Sequence, residues 1–255
     1  MFNYFIGLQW KSFFRSASFK TEIWFKILMA LGALYFILVF LSLGFGSYFI
    51  IEEAGLGDPL RVINRFMIYY LAFDLVFRYM LQKMPVTNIK PLLYLPFKKS
   101  QVVNYSLGKT VVSFFNLAHA FFFVPFSVVL LTKDYPLAQV VGWHLAMMAL
   151  FYCNNFINIM VNNKDGVFYV LAALFIVAGA SQYYQWFDIT VYTQPIFDFF
   201  YDMPWTALIP WVALALLYVA AFTYFKKHMY LDGGLAQKQT EAKTENLEWL
   251  DRFGN

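Results

Sequence analysis

ILMALGALYFILVFLSLGFGSYFII, Ile27–Ile51, carries no charged residue. As an α-helix it extends about 37 Å, more than the roughly 30 Å hydrocarbon core of a bilayer. Four further runs are of the same kind: Thr110–Thr132, Tyr135–Asn163, Gly166–Phe187 and Met203–Phe225. Each reaches the roughly 20 apolar residues that a helix needs to cross. A sixth segment, 62–82, is long enough but carries Asp74 and Arg78. Composition agrees. Of 255 residues, 61% are hydrophobic, 22% aromatic and 13% charged, and mean hydropathy is +0.56. Soluble domains carry roughly a quarter charged residues, so this chain has too little polar surface to cover a water-soluble molecule.

The expected fold is all-α: a polytopic membrane protein with six transmembrane helices at about 27–51, 62–82, 106–132, 138–161, 166–184 and 206–226, within a domain covering 24–228. The charges orient it. With the N-terminus in the cytoplasm, the inner segments hold Lys11, Arg15, Lys20, Lys26, Lys83, Lys90, Lys98, Lys99, Lys109, Lys164, Lys226, Lys227, Lys238, Lys243 and Arg252. The outer segments hold only Arg61, Arg65 and Lys133, beside Glu52, Glu53, Asp58, Asp134, Asp188, Asp198 and Asp202. The positive-inside rule therefore predicts both termini in the cytoplasm. A bacterial inner membrane is the expected location.

The first residues are not a signal peptide, because their charges are spread among aromatics and no small-residue cleavage site follows a short apolar core. Residues 1–20 predict an interfacial, elbow-like helix. Asn3, Gly7, Lys11 and Arg15 form one stripe; Phe2, Phe5, Ile6, Trp10, Phe13 and Phe14 form the opposite one, an arrangement suited to a helix half-sunk in headgroups. Tyr183–Trp205 is too acidic to span and too aromatic for bulk water, so it is expected on, or dipping into, the outer leaflet. After Phe225 the sequence turns polar. Gly233-Gly234 is expected to stop the last helix, and 229–255 reads as a cytoplasmic tail or linker in a polypeptide that continues. The single cysteine, Cys153, excludes an intrachain disulfide, and no CxxC metal or redox motif is present.

PLLYLPFKKSQVVNYSLGKT, Pro91–Thr110, lies between the second and third spans, on the cytoplasmic side by the charge count. Its GKT is not a phosphate-binding loop. That motif needs a glycine five residues before Gly108, where Val103 stands, and a preceding strand, whereas this run enters a span. Pro91 and Pro96 interrupt helix formation. Between and after them, Leu92, Leu93, Tyr94, Leu95 and Phe97 offer an apolar surface followed by Lys98-Lys99. Ser100 is a candidate N-cap for the helix that follows. Such a segment suits either docking of a soluble partner or contact with anionic lipid.

The elbow helix, Leu95-Pro96-Phe97-Lys98-Lys99 between spans two and three, and Gly108-Lys109 opening the third together resemble ABC-2 type permeases. More closely, MPVTNIKPLLYLPFKKSQVVNYSLGKT and the tail YLDGGL…WLDRFG are similar to a Bacteroidota family of uncharacterised membrane proteins grouped with ABC exporters. There this region forms the first half of a longer chain. The resemblance implies that Leu93, Tyr94, Pro96, Phe97, Lys98 and Lys99 form a coupling helix seated on a separate ABC ATPase subunit. It further implies completion by a second permease half or a homodimer. The substrate stays open. A competing expectation is a non-transporting scaffold that anchors an envelope assembly.

Inside the spans, Asp74 and Arg78 lie one turn apart and are expected to pair facing inward, either as a gate or as a structural lock. Asn155, Asn158 and Asn162 share one face of the fourth span, beside Asn154 and Asn163; Ser113, Asn116 and His119 form a stripe on the third. Interhelical amide hydrogen bonds explain these stripes as well as a transport path does. His119 and His144 as haem ligands are disfavoured, since His119 is mid-span and His144 near the outer start of the next. No carboxylate pair, Ser/His/Asp set or HExxH motif supports an enzyme. No cofactor, metal or nucleic-acid partner is expected.

Overall fold

The computed structural model describes residues 23–82, 98–161 and 164–235. Among them it contains no strand. In chain order the helices are α1 (Ile23–Glu53), α2 (Pro59–Leu81), α3 (Lys99–Val111), α4 (Phe114–Thr132), α5 (Leu137–Val161), α6 (Asp165–Tyr183), α7 (Ile189–Asp202), a 3₁₀ turn at Pro204–Ala207, and α8 (Leu208–Leu235). Among the described residues five stretches are long and apolar enough to cross a membrane: Ala30–Glu53, Lys99–Thr132, Leu137–Val161, Gly166–Tyr183 and Pro204–Lys227. Helix α2 is the exception. Its 23 residues give about 34 Å of helix, but Arg61, Arg65, Asp74 and Arg78 dilute its apolar character.

Local chemistry sets the boundaries. Gly55 and Gly57, at φ +66° and +104°, let the chain reverse between α1 and α2 in a conformation costly for other residues. Asp58 then caps α2 by accepting from the Arg61 N–H at 3.0 Å, with Pro59 in the first turn, where its missing N–H costs nothing. Helices α3 and α4 share one apolar stretch but break at Val112–Ser113. The Asn116 carboxamide explains the break: its Nδ2 donates to the Thr110 and Val111 carbonyls at 2.9 and 3.1 Å, satisfying carbonyls that a continuous helix would use itself.

Three expectations are corrected. The third span, expected at 106–132, is not one helix, because Asn116 ends α3 and α4 starts afresh. Ser100 is not the N-cap of α3: the helix starts at Lys99, and the Gln101 side chain accepts from the Lys98 N–H at 3.0 Å. Gly233-Gly234 does not stop α8, which runs to Leu235; glycine costs a helix about 1 kcal/mol per residue without forbidding it. Residues 1–20, with the predicted elbow helix, lie outside the described residues, as does 236–255.

Helix α5 is the central element, with α8 along one side, α4 along another, and α2 and α7 closing over it; α1 lies against α4. Two apolar clusters fill the interior. One gathers Leu60, Met67, Phe123, Phe126, Leu130, Trp143, Met147, Phe151, Phe197 and Phe200. The other gathers Val102, Val103, Leu107, Phe156, Ile159, Ala221 and Phe225. Along α2, α5 and the α3–α4 pair, polar residues sit between these clusters. Helix α6 stands apart: none of its spanning residues is buried, and it meets α2 through a Tyr79–Phe168 stack at 4.1 Å.

Charge sorts to the two ends. At one end Lys133 meets Glu52 at 3.6 Å, Tyr135 donates to Asp58 at 2.8 Å, and Arg61 and Arg65 meet Asp188, Asp198 and Asp202 of the α6–α7 region. At the other stand Lys98, Lys99, Lys109, Lys164, Lys226 and Lys227. There Lys164 lies over the Tyr224 ring at 4.8 Å, and Tyr218 donates to Asn104 at 2.8 Å.

Candidate functional site

The polar layer is built on one face of α2 and its C-cap, where Tyr70, Asp74, Arg78 and Gln82 follow at four-residue intervals. The Arg78 guanidinium is fully enclosed and Asp74 8% exposed. Arg78 Nε donates to both Asp74 carboxylate oxygens at 2.8 and 2.9 Å. Its Nη1 donates to Gln82 Oε1 at 3.3 Å, and its Nη2 to the Phe115 carbonyl at 3.4 Å. A buried charge without partners would cost several kcal/mol or more, so the number of bonds to this pair is what lets it exist here.

Three other elements complete the layer. From α4, His119 places Nδ1 2.7 Å from the Tyr70 hydroxyl and Nε2 3.1 Å from Asp74 Oδ1 and 3.0 Å from Arg78 Nη2. Nε2 must carry a proton to bond the carboxylate and must lack one to accept from the guanidinium, so it serves one partner at a time. From α5, Asn154 Nδ2 donates to Asp74 Oδ2 at 3.0 Å and to the Leu71 carbonyl at 2.8 Å. A directed relay then runs to α3. Because Arg78 can only donate, it fixes the Gln82 carbonyl towards itself; Gln82 Nε2 donates to Asn155 Oδ1 at 2.9 Å. Asn155 Nδ2 donates to Thr110 Oγ1 at 2.9 Å, and Thr110 Oγ1 donates to the Leu107 carbonyl at 2.7 Å. Asn158 Nδ2 also reaches Gln82 Oε1, at 3.4 Å.

A second polar assembly occupies the acidic end, where α7 lies across the start of α2. Arg61 donates through two nitrogens to Asp202 at 3.2 and 2.5 Å and stands 3.3 Å from Asp198. Arg65 donates from Nε to Thr190 Oγ1 at 3.1 Å and from Nη2 to Asp188 at 3.0 Å. Trp143 Nε1 donates to Asn64 Oδ1 at 2.7 Å, and Asn64 Nδ2 to Asp198 Oδ1 at 2.7 Å, tying α5, α2 and α7 together. The hydrogen bond from Thr190, with Arg65 beside it, holds the Asp188 carboxyl below its ordinary range. Burial, then the bond to Asp58, pushes the Tyr135 hydroxyl well above its own.

A family model, the family of unknown function DUF5687, matches residues 9–255. The chain belongs to this family. No curated protein and no solved structure matches it.

In this DUF5687 chain the structure brings together Asp74, Arg78, His119, Asn155 and Asn158. Asn116 adjoins them through Thr110 but spends its amide on the end of α3. Asn162 lies outside the described residues, as do Leu93, Tyr94, Pro96 and Phe97; of the proposed coupling contact only Lys98 and Lys99, at the start of α3, are described. Beside Asn155 and Asn158, Asn154 also turns inward, to Asp74. Tyr70, Gln82 and Thr110 join the layer without having been singled out. The spacing 70–74–78–82 carries the signal for the first two. His144 is bonded to Ser127 Oγ at 2.8 Å, in a different neighbourhood from the partners of His119. Among the described residues no group of three His, Cys, Asp or Glu side chains gathers to hold a metal ion.

Proposed function

We propose that this chain is the membrane subunit of an ABC-type exporter, driven by a separate ATPase and completed by a second permease half or a second copy. In this reading α2 is a sixth span whose charges are neutralised inside the bundle. The lysine-rich end faces the cytoplasm of a bacterial inner membrane, as the positive-inside rule requires. No nucleic acid takes part.

The observation that carries the reading is the placement of α3. It begins at Lys99, capped by Lys98 directly after the 91–97 segment, spans 13 residues, and carries in its last turn the Thr110 hydroxyl that closes the relay from Arg78. Val102, Val103 and Leu107 press it against α5 and α8, and the Asn116 cap separates it from α4. It is therefore a short rigid lever, with one end beside the proposed docking segment and the other hydrogen-bonded to the polar layer. A displacement at Lys98 would move Thr110, Asn155 and Gln82 together. Coupling of this kind requires packed elements with discrete arrangements, and the α3–α4 break supplies the joint. Energy delivered at the 91–99 segment would reach the spans along this route.

Two experiments test the proposal. Cysteines placed at Lys98 and at Asp198 should be labelled from opposite sides of the membrane, and labelling from one side would overturn the topology. Phe97→Ala should abolish co-purification with a Walker-motif ATPase and stimulation of its activity, while membrane insertion is unchanged. Aromatic anchors commonly cost about 2 kcal/mol or more when truncated. Lys98→Ala with Lys99→Ala should weaken association less, chiefly through its rate. If no ATPase accompanies the wild-type chain, the non-transporting scaffold is the better reading.

A further inference from the structure

Between the start of α2 and α7 lies a cleft of about 510 Å³, lined by Arg61, Arg65, Val191, Gln194, Pro195, Asp198 and Asp202. We propose that it binds a phosphoethanolamine group, the headgroup of an ethanolamine phospholipid. The inference takes from the preceding section only that the helices stand in a bilayer, not the coupling to an ATPase.

The volume falls within the range of small-molecule sites, roughly 300–1,000 Å³. The lining selects the chemistry. Two guanidiniums and two carboxylates share the cleft, so a lone anion would meet the aspartates and a lone cation the arginines. Their arrangement is polar. At one end a single arginine, Arg61, faces both Asp198 and Asp202, which leaves an excess of negative charge. At the other, Arg65 is held by Thr190 through Nε and by Asp188 through Nη2, so Nη1 has no hydrogen-bond partner among the described residues. A zwitterion with a phosphate on Arg65 Nη1 and an ammonium on the Asp198–Asp202 end satisfies both. The Asp198 carboxylate is already oriented, with Asn64 donating to Oδ1 at 2.7 Å and Gln194 to Oδ2 at 3.3 Å.

The lining also discriminates among headgroups. Quaternary ammonium is recognised by aromatic faces, and no aromatic residue lines this cleft; a primary ammonium can donate three hydrogen bonds to the carboxylates. A serine headgroup would add a carboxylate against an acidic end. The position suits a lipid. Tyr183, Tyr184, Trp186, Tyr192 and Trp205, all exposed, stand at the same end of the bundle, and aromatics of this kind favour the membrane–water boundary. Val191 and Pro195 provide an apolar edge for the glycerol region.

The full chain in detergent micelles would be titrated with dihexanoyl phosphatidylethanolamine, with the matching phosphatidylcholine and with glycerophosphoethanolamine. Bound ligand would be read by native mass spectrometry. The ethanolamine lipid should bind about tenfold more tightly than the choline lipid, the effect of roughly one charge-assisted hydrogen bond. Asp198→Asn should remove that preference, and Arg65→Gln should weaken both lipids. Val191→Trp should exclude both lipids; its site is 60% exposed, so the unliganded thermal midpoint should match the wild type, and this variant decides the matter if Asp198→Asn fails to fold. Competition by glycerophosphoethanolamine assigns the free headgroup as sufficient, and its failure to compete assigns the lipid. Equal binding of the two lipids by the wild type, or undiminished ethanolamine-lipid binding by Val191→Trp, would overturn the proposal.

Discussion

Arg78→Ala should lower the stability of the folded chain by about 3–5 kcal/mol, the cost of leaving one member of a buried ion pair without the other. The wild-type guanidinium is fully enclosed and bonds Asp74, Gln82 and the Phe115 carbonyl at once. Its removal leaves the Asp74 carboxylate with only His119 and Asn154, and frees the Gln82 amide to turn over, which disorders the relay to Thr110. The midpoint of thermal unfolding in detergent should fall by about 10 °C, taking roughly 2–4 °C per kcal/mol for a chain of this size. Asp74→Leu combined with Arg78→Met should recover most of the loss, because apolar replacements of similar volume remove the desolvation cost with the charges. His119→Ala should cost less than Arg78→Ala, since it leaves the ion pair intact. The pair of variants also separates lock from gate. If the double variant is stable yet fails to stimulate the ATPase, the pair serves transport; if it is stable and active, the pair serves the fold.

How much of this was legible in the sequence depends on the range over which the signal acts. The uncharged runs and the segregation of lysine from aspartate are properties of the chain itself, and they yield an all-helical membrane protein directly. Asp74 and Arg78 are four residues apart, so the pair could be foreseen. Gln82 and Tyr70 extend the same spacing and were equally visible. Asn154 was not, because which face of α5 points inward depends on how closely α2 approaches it. The break at Val112–Ser113 contains neither glycine nor proline; it follows from a side chain, Asn116, whose choice of partner is made only in the folded state. The cleft at the acidic end is less legible still. It joins Arg61 to Asp202 and Arg65 to Asp188 across 141 and 123 residues, and each of those charges taken alone reads as an ordinary outer-loop residue. Helix α7, expected on or dipping into the outer leaflet, also sends Phe197, Phe200 and Tyr201 into the main apolar cluster, a contact that its aromatic and acidic composition does not announce.

Gly142→Ala should also be strongly destabilising, although alanine is the better helix former. In an exposed helix interior the substitution gains about 1 kcal/mol. At Gly142 on α5, however, the added Cβ would lie 2.6 Å from Pro204 Cβ, 2.7 Å from its Cα and 3.0 Å from its carbonyl oxygen. Two of these atoms are backbone, and the third belongs to a ring fixed to it, so no rotamer change relieves the overlap. Either α5 or the 3₁₀ turn at Pro204–Ala207 must move. That turn is anchored by Thr206, whose hydroxyl donates to the Met203 and Phe199 carbonyls at 2.6 and 3.2 Å, so a shift would drag the end of α7 and its buried Phe200 and Tyr201 with it. Overpacking typically costs about 1–3 kcal/mol, and an overlap with backbone belongs at the upper end, so a net loss of about 2 kcal/mol remains after the helix gain. Gly44→Ala on α1 should behave alike, because its Cβ would fall against the Phe122 carbonyl oxygen where α1 meets α4. Gly32→Ala supplies the control: nothing lies within 4 Å of its added Cβ, so its thermal midpoint should equal or exceed the wild type. If Gly142→Ala and Gly32→Ala unfold at the same temperature, the close approach of α5 to Pro204 is not a feature of the native chain.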